Sequence, residues 1–160
     1  MAVFEIHSSY QQHGTLRCFS FQGFFTLDER SQEIRGYMEA DSSTFPQKRY
    51  IYGMYDRSRD LLAYLQLSNT SNISPLMFMF PIIKLNGFWS AYDQDMELFF
   101  PFRKANGTAQ VTLKEVTNPV KADLISEYVY DTFIECSDLI SNMMLIHKGV
   151  QPYLVDFGIN

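Results

Sequence analysis

The chain is poor in the residues that build cross-linked or metal-held scaffolds: among 160 residues there are two cysteines and three histidines. Cys18 and Cys136 fall in different predicted elements, so a disulfide framework is excluded and both thiols are expected to be buried and reduced. Cations are scarce as well. Thirteen Lys and Arg against eighteen Asp and Glu leave a formal net charge of -5. Nucleic acid and anionic membrane surfaces demand a clustered excess of Lys and Arg, so neither is expected as a partner. The longest apolar run, residues 75–83, is about half of the ~20 residues a helix needs to cross a bilayer, so no membrane span is expected. The opening residues Met1-Ala2-Val3-Phe4-Glu5-Ile6 lack a basic n-region and an apolar stretch ending in small residues, which predicts a cytoplasmic protein without a secretory signal. The Asn-x-Ser/Thr triplets at Asn69, Asn72 and Asn106 then read as turn chemistry, not as glycan acceptors.

Motifs that carry chemistry are missing too. There is no Gly-rich phosphate loop, nucleophile elbow, Cys-x-x-Cys pair or HExxH helix. His7 and His13 match no metal-ligand spacing, and the position of His147 in the last turn of a predicted helix is explained by the helix dipole. Glu127, Asp131 and Glu135 recur at i, i+4, i+8, which places three carboxylates on one helix face. Such a row suits a hard cation or paired acid–base work only with a His or a second helix beside it; without them it is expected to be a solvated face. No catalytic residue, metal or cofactor is assigned.

Aromatic side chains are what the chain has in quantity, 16% of residues with 14 Phe and 10 Tyr, and they favour strands. Hydrophobic types at 46% against 19% charged suffice for a packed core. Strands are predicted over 2–7, 16–27, 33–40, 49–56, 61–67, 76–83, 88–92, 96–103 and 108–117. Gly23 marks a bulge or bend in the second of these. The tetrapeptide Arg57-Ser58-Arg59-Asp60 has hairpin length, and Asn86-Gly87 and Asn106-Gly107 are hairpin signals. Short connections favour neighbour-to-neighbour antiparallel pairing. From Asn118-Pro119 the period changes to that of a helix, which runs to Gly149. Ile125, Val129, Thr132, Cys136, Leu139, Met143 and Ile146 form its apolar stripe. Leu124, Tyr128 and Tyr130 widen that stripe, so the helix needs a second surface to cover it, and a homo-oligomer through residues 119–148 is one candidate. The predicted fold is mainly β, an antiparallel meander β-barrel of about eight or nine strands with one long C-terminal helix. It forms a single domain: a barrel over 1–117, a helix over 118–149 packed on it, and an extended tail over 150–160.

The segments Gly36-Tyr37-Met38-Glu39-Ala40, Arg49-Tyr50-Ile51-Tyr52-Gly53-Met54-Tyr55-Asp56, Leu62 to Leu67 and Phe88-Trp89-Ser90-Ala91-Tyr92 resemble the strand rhythm of avidin-like barrels. The late helix followed by an extended tail is similar to a lipocalin. Both belong to the calycin group, and the resemblance, over residues 34–104, implies an up-and-down barrel with a small ligand inside. Departures narrow it. Ala40 stands where the avidin pattern has Ser, the Trp that the pattern has near Ala63 or Tyr64 is missing, and only Trp89 matches an aromatic wall position. The lipocalin Gly-x-Trp signature is absent from the first strand. The resemblance therefore implies a barrel and a ligand other than biotin.

The function expected is non-enzymatic binding of a small apolar or amphipathic molecule inside the barrel, against Met38, Tyr52, Met54, Tyr64, Phe78, Trp89 and Phe100. Two alternatives stand beside it: a filled barrel that serves as a homo-oligomeric interaction module, and a barrel enzyme using Tyr or carboxylate acid–base chemistry. Lys48 and Arg49, with Arg57 and Arg59, are expected to form one solvated basic loop rim, the sharper alternative being an anion or acidic ligand held at the barrel mouth.

Overall fold

The computed structural model describes residues 1–12, 14–16, 18–40, 48–59, 61–68, 76–81, 86–92 and 103–135. Eight strands precede one helix: β1 (Ala2–Gln12), β2 (Cys18–Leu27), β3 (Glu33–Ala40), β4 (Lys48–Asp56), β5 (Leu61–Ser68), β6 (Leu76–Pro81), β7 (Asn86–Tyr92), β8 (Arg103–Glu115) and α1 (Pro119–Glu135). The fold is thus mainly β with antiparallel neighbours throughout. Each strand pairs with the next, and β1 also pairs with β8, as in Ile6 opposite Gly23 on one side and Leu113 on the other. The six adjacent strands β8-β1-β2-β3-β4-β5 form a strongly curled sheet. Alternation divides its two faces. Phe4, Ile6, Phe21, Phe25, Leu27, Ile34, Met38, Ile51, Leu62 and Tyr64 form one buried cluster on the concave side.

Curling this tight needs close approach between strands. A side chain carbon on Gly23 would collide with the Tyr37 carbonyl oxygen, and one on Gly36 with that of Phe24. Glycine at these register positions lets neighbouring backbones bend past one another. Of the bulge or bend expected at Gly23, there is no bulge, since the residue pairs in unbroken register with Ile6 and Met38, and the close approach to Tyr37 fits the bend. The register shift lies instead at Ala91/Tyr92, between β7 and β8.

Two hairpin signals are also misplaced. Asn86 and Gly87 already lie in β7, paired with Gln110 and Ala109. Asn106 and Gly107 lie within β8, opposite Ser90 and Trp89, so the Asn106 triplet is strand rather than turn. Asn-Gly tolerates a turn without requiring one, and sheet pairing prevailed. The Asp56–Leu61 hairpin stands where it was expected, with Asp56 opposite Leu61. Residues 93–102, which include most of the expected strand 96–103, lie outside the described residues, as do 136–160, which hold the second half of the expected helix, Cys136, His147 and the tail.

The helix starts as the sequence predicts. Asn118 Oδ1 accepts hydrogen bonds from the backbone N–H of Val120 at 3.0 Å and of Lys121 at 3.2 Å, and Pro119 takes the first helical position. Ile125 and Val129 pack with Val3 on the convex side of the sheet, beside the half-buried Phe24 and Tyr37. Tyr128 adds an edge-to-face contact with Tyr37 at 4.9 Å. Asp123, Glu127 and Asp131 are exposed. So are Val120 (70% of its surface), Leu124 (62%) and Tyr130 (64%). The apolar stripe is therefore narrower than expected toward the sheet, and the exposed apolar residues Val120, Leu124 and Tyr130 are interspersed with Asp123, Glu127 and Asp131 on the opposite face. No described helix is long and apolar enough to cross a membrane.

Candidate functional site

The concave interior is not uniform along the strands. Near the β2–β3 and β4–β5 turns it is filled by aromatic rings. Phe4 stacks on Phe25 at 5.3 Å, and Tyr55 meets both edge-on at 5.7 and 6.1 Å. Arg57 lies over the Phe4 ring at 5.1 Å while its guanidinium bridges Glu29 at 2.9 Å and Glu115 at 3.3 Å. These contacts join the β2–β3 turn, the β4–β5 turn and the end of β8, and they cover that end of the interior.

Toward the other end the same face turns polar. Ser8 and Tyr10 on β1, Arg49 on β4, and Tyr64 and Gln66 on β5 are all buried. Arg49 retains only 6% of its exposure. Its guanidinium lies 5.6 Å over the Phe21 ring, and Phe21 stacks on Tyr10 at 5.6 Å. Burial pulls the Arg49 pKa below its ordinary value, and Tyr10 opposes that shift; guanidinium nevertheless stays charged in proteins. Among the described residues no carboxylate forms an ion pair with Arg49, and its Nη1 has no hydrogen-bond partner among them. Gln66 Nε2 donates to Met38 Sδ at 3.3 Å. Ser8 and Gln66 approach the Tyr64 hydroxyl closely enough to lower its pKa against burial, which raises it more. Ser8 Oγ and Gln66 Oε1 nevertheless close no hydrogen bond among the described residues. Burial also raises the Tyr10 pKa, with Arg49 opposing. Both phenols therefore stay protonated at neutral pH and serve as donors rather than bases.

The seven residues expected to line the interior divide into four groups. Met38 and Tyr64 lie on the concave face, fully buried. Tyr52 and Met54 lie on the convex face, because Ile51 and Gly53 between and beside them take the concave positions. Tyr52 is held there by donating from its hydroxyl to Glu33 Oε2 at 3.1 Å, and its pKa is raised by burial and by the Glu33 charge. Phe78 is paired with Tyr64 and with Trp89, so the backbone places both in register with the concave positions, while their side chains lie outside the described residues. Phe100 lies outside the described residues altogether.

The single basic rim does not exist. Arg57 and Arg59 flank the β4–β5 turn, whereas Arg49 is at the opposite end of β4, seven strand steps from Asp56 or roughly 23 Å at the usual rise. Arg59 is engaged with Asp56, Nε to Oδ2 at 2.6 Å. The sequence reading missed Ser8, Tyr10 and Gln66 as interior polar groups, although their even spacing along β1 and β5 is a signal that a correct face assignment would have used. Among the described residues no three His, Cys, Asp or Glu side chains are gathered as for a metal ion. No family model, curated protein or solved structure matches the chain.

Proposed function

We propose that the chain folds as a calycin-like barrel of eight strands that binds a small apolar or amphipathic molecule in its interior without converting it. Pairing of β1 with both β2 and β8 supports an enclosed interior. The observation that carries the proposal is the set of buried polar atoms at one end of that interior, Ser8 Oγ, Arg49 Nη1 and Gln66 Oε1, which come from three strands and have no hydrogen-bond partner among the described residues. Buried polar atoms in folded proteins are paired almost without exception, and a molecule with one polar end would pair these. Burial holds the interior phenols of Tyr10 and Tyr64 protonated, so among the described residues they act as donors and not as bases. That favours binding over acid–base catalysis.

Native mass spectrometry of the full chain, purified without denaturation, tests this. The expected spectrum shows added mass that is shed on collisional activation, and the stripped protein takes up N-phenyl-1-naphthylamine with a rise in fluorescence. A chain with no bound mass and no probe uptake rejects the proposal. The runner-up, a homo-oligomeric interaction module, is favoured by the exposed Val120, Leu124 and Tyr130 on α1. The same spectrum decides it, since that function requires a dimer at micromolar concentration and no retained small molecule.

A further inference from the structure

Resting on that proposal, we infer that the enclosed molecule is an amphipathic monocarboxylate whose head group is held by Arg49. A charged side chain with only 6% exposure carries a large desolvation cost unless an opposite charge meets it. Stacking on Phe21 at 5.6 Å supplies about 1–2 kcal/mol in a desolvated setting, which is well short of that cost. Its Nη1, buried and without a hydrogen-bond partner among the described residues, is a donor that a further acceptor would satisfy. A guanidinium presents a planar fork that matches a carboxylate in two parallel hydrogen bonds.

Charge selects among anions. Arg49 is the one cation in the described concave cluster. One carboxylate neutralises it; a phosphate monoester, carrying about -1.5 to -2 at neutral pH, would leave buried net negative charge. The surroundings complete the head-group site. The protonated hydroxyls of Tyr10 and Tyr64 are donors, and Ser8 Oγ is another on the same half of the face. The neighbouring concave positions, Ile51 and Met38, are apolar, the chemistry that a hydrocarbon tail would have to pack against.

Isothermal titration calorimetry of the full chain with dodecanoate, dodecanol and dodecyl phosphate tests the inference. Wild type is expected to bind dodecanoate at least tenfold more tightly than dodecanol, the step associated with one hydrogen-bonded charge, and more tightly than dodecyl phosphate. Arg49→Met should abolish the preference for dodecanoate while keeping dodecanol binding, and Arg49→Lys should retain part of it. Equal affinities for dodecanoate and dodecanol in the wild type overturn the carboxylate assignment and leave interior binding standing. Tighter dodecyl phosphate binding also overturns it. If none of the three binds, the proposed function fails with it. The wild-type comparison needs no variant, so misfolding of Arg49→Met cannot mask the result.

Discussion

At the scale of single residues, two buried charged groups on one strand have opposite economies. Asp56 ends β4 almost fully buried, yet it is satisfied: Ser58 Oγ donates to its Oδ1 at 2.7 Å, the backbone N–H groups of Ser58 and Arg59 donate to the same oxygen, and Arg59 Nε donates to Oδ2. The Ser58 hydroxyl and then Arg59 hold its pKa at about 2, below the ordinary 3.8. Because the folded-state pKa is depressed, the stabilisation is present above the unfolded value and is lost as pH falls through the folded one. Asp56→Asn is therefore expected to lower stability at neutral pH by about 2 kcal/mol. The gap between variant and wild type should narrow between pH 4 and pH 2 in chemical denaturation, and a gap that stays constant would refute the assignment. Arg49 is the contrasting case, a buried charge with no described carboxylate. Sequence could identify both as ionisable strand residues but not separate them, since the difference lies in what folding brings alongside.

At the scale of elements, the signals that worked are those with local causes. The turn 57–60 and the start of α1 are encoded by residues that bond within a few positions of themselves, so a short window of sequence suffices. Asn118→Ala removes the acceptor for two first-turn N–H groups and is expected to cost about 1 kcal/mol. Thermal melts should show that loss, with Asn118→Asp retaining most of the wild-type stability; equal stability of Asn118→Ala and wild type would show that the cap does not act. What failed depended on neighbours. Asn106-Gly107 lies in a strand because β7 pairs with it. On β4 both faces are rich in apolar and aromatic residues, with Tyr50, Tyr52 and Tyr55 all buried, so hydrophobic alternation could not say which face was concave. Tyr52 and Met54 were misassigned to the interior for that reason.

At the scale of the whole molecule, the decisive contact is the pairing of the first strand with the last, Phe4–Gln12 against Gly107–Glu115. In an antiparallel strand, alternate residues direct their amide hydrogens to opposite neighbours. A β1 that is paired on both sides should therefore show slow hydrogen exchange along its whole length, whereas an edge strand would exchange every second amide rapidly. A pattern of alternating fast amides from Phe4 to Tyr10, read by NMR, would contradict the β1–β8 pairing. Composition and period by themselves determined that this chain is strand-rich, antiparallel and followed by a capped helix, because those properties arise from steric preference and short-range bonding. Only the tertiary structure decided which face is concave, that Arg49 stands apart from Arg57 and Arg59, and that buried polar atoms of three strands lie on one half of that face. Each of those depends on strand register over long sequence separations, and a shift of a single residue would reverse every side chain on the strand.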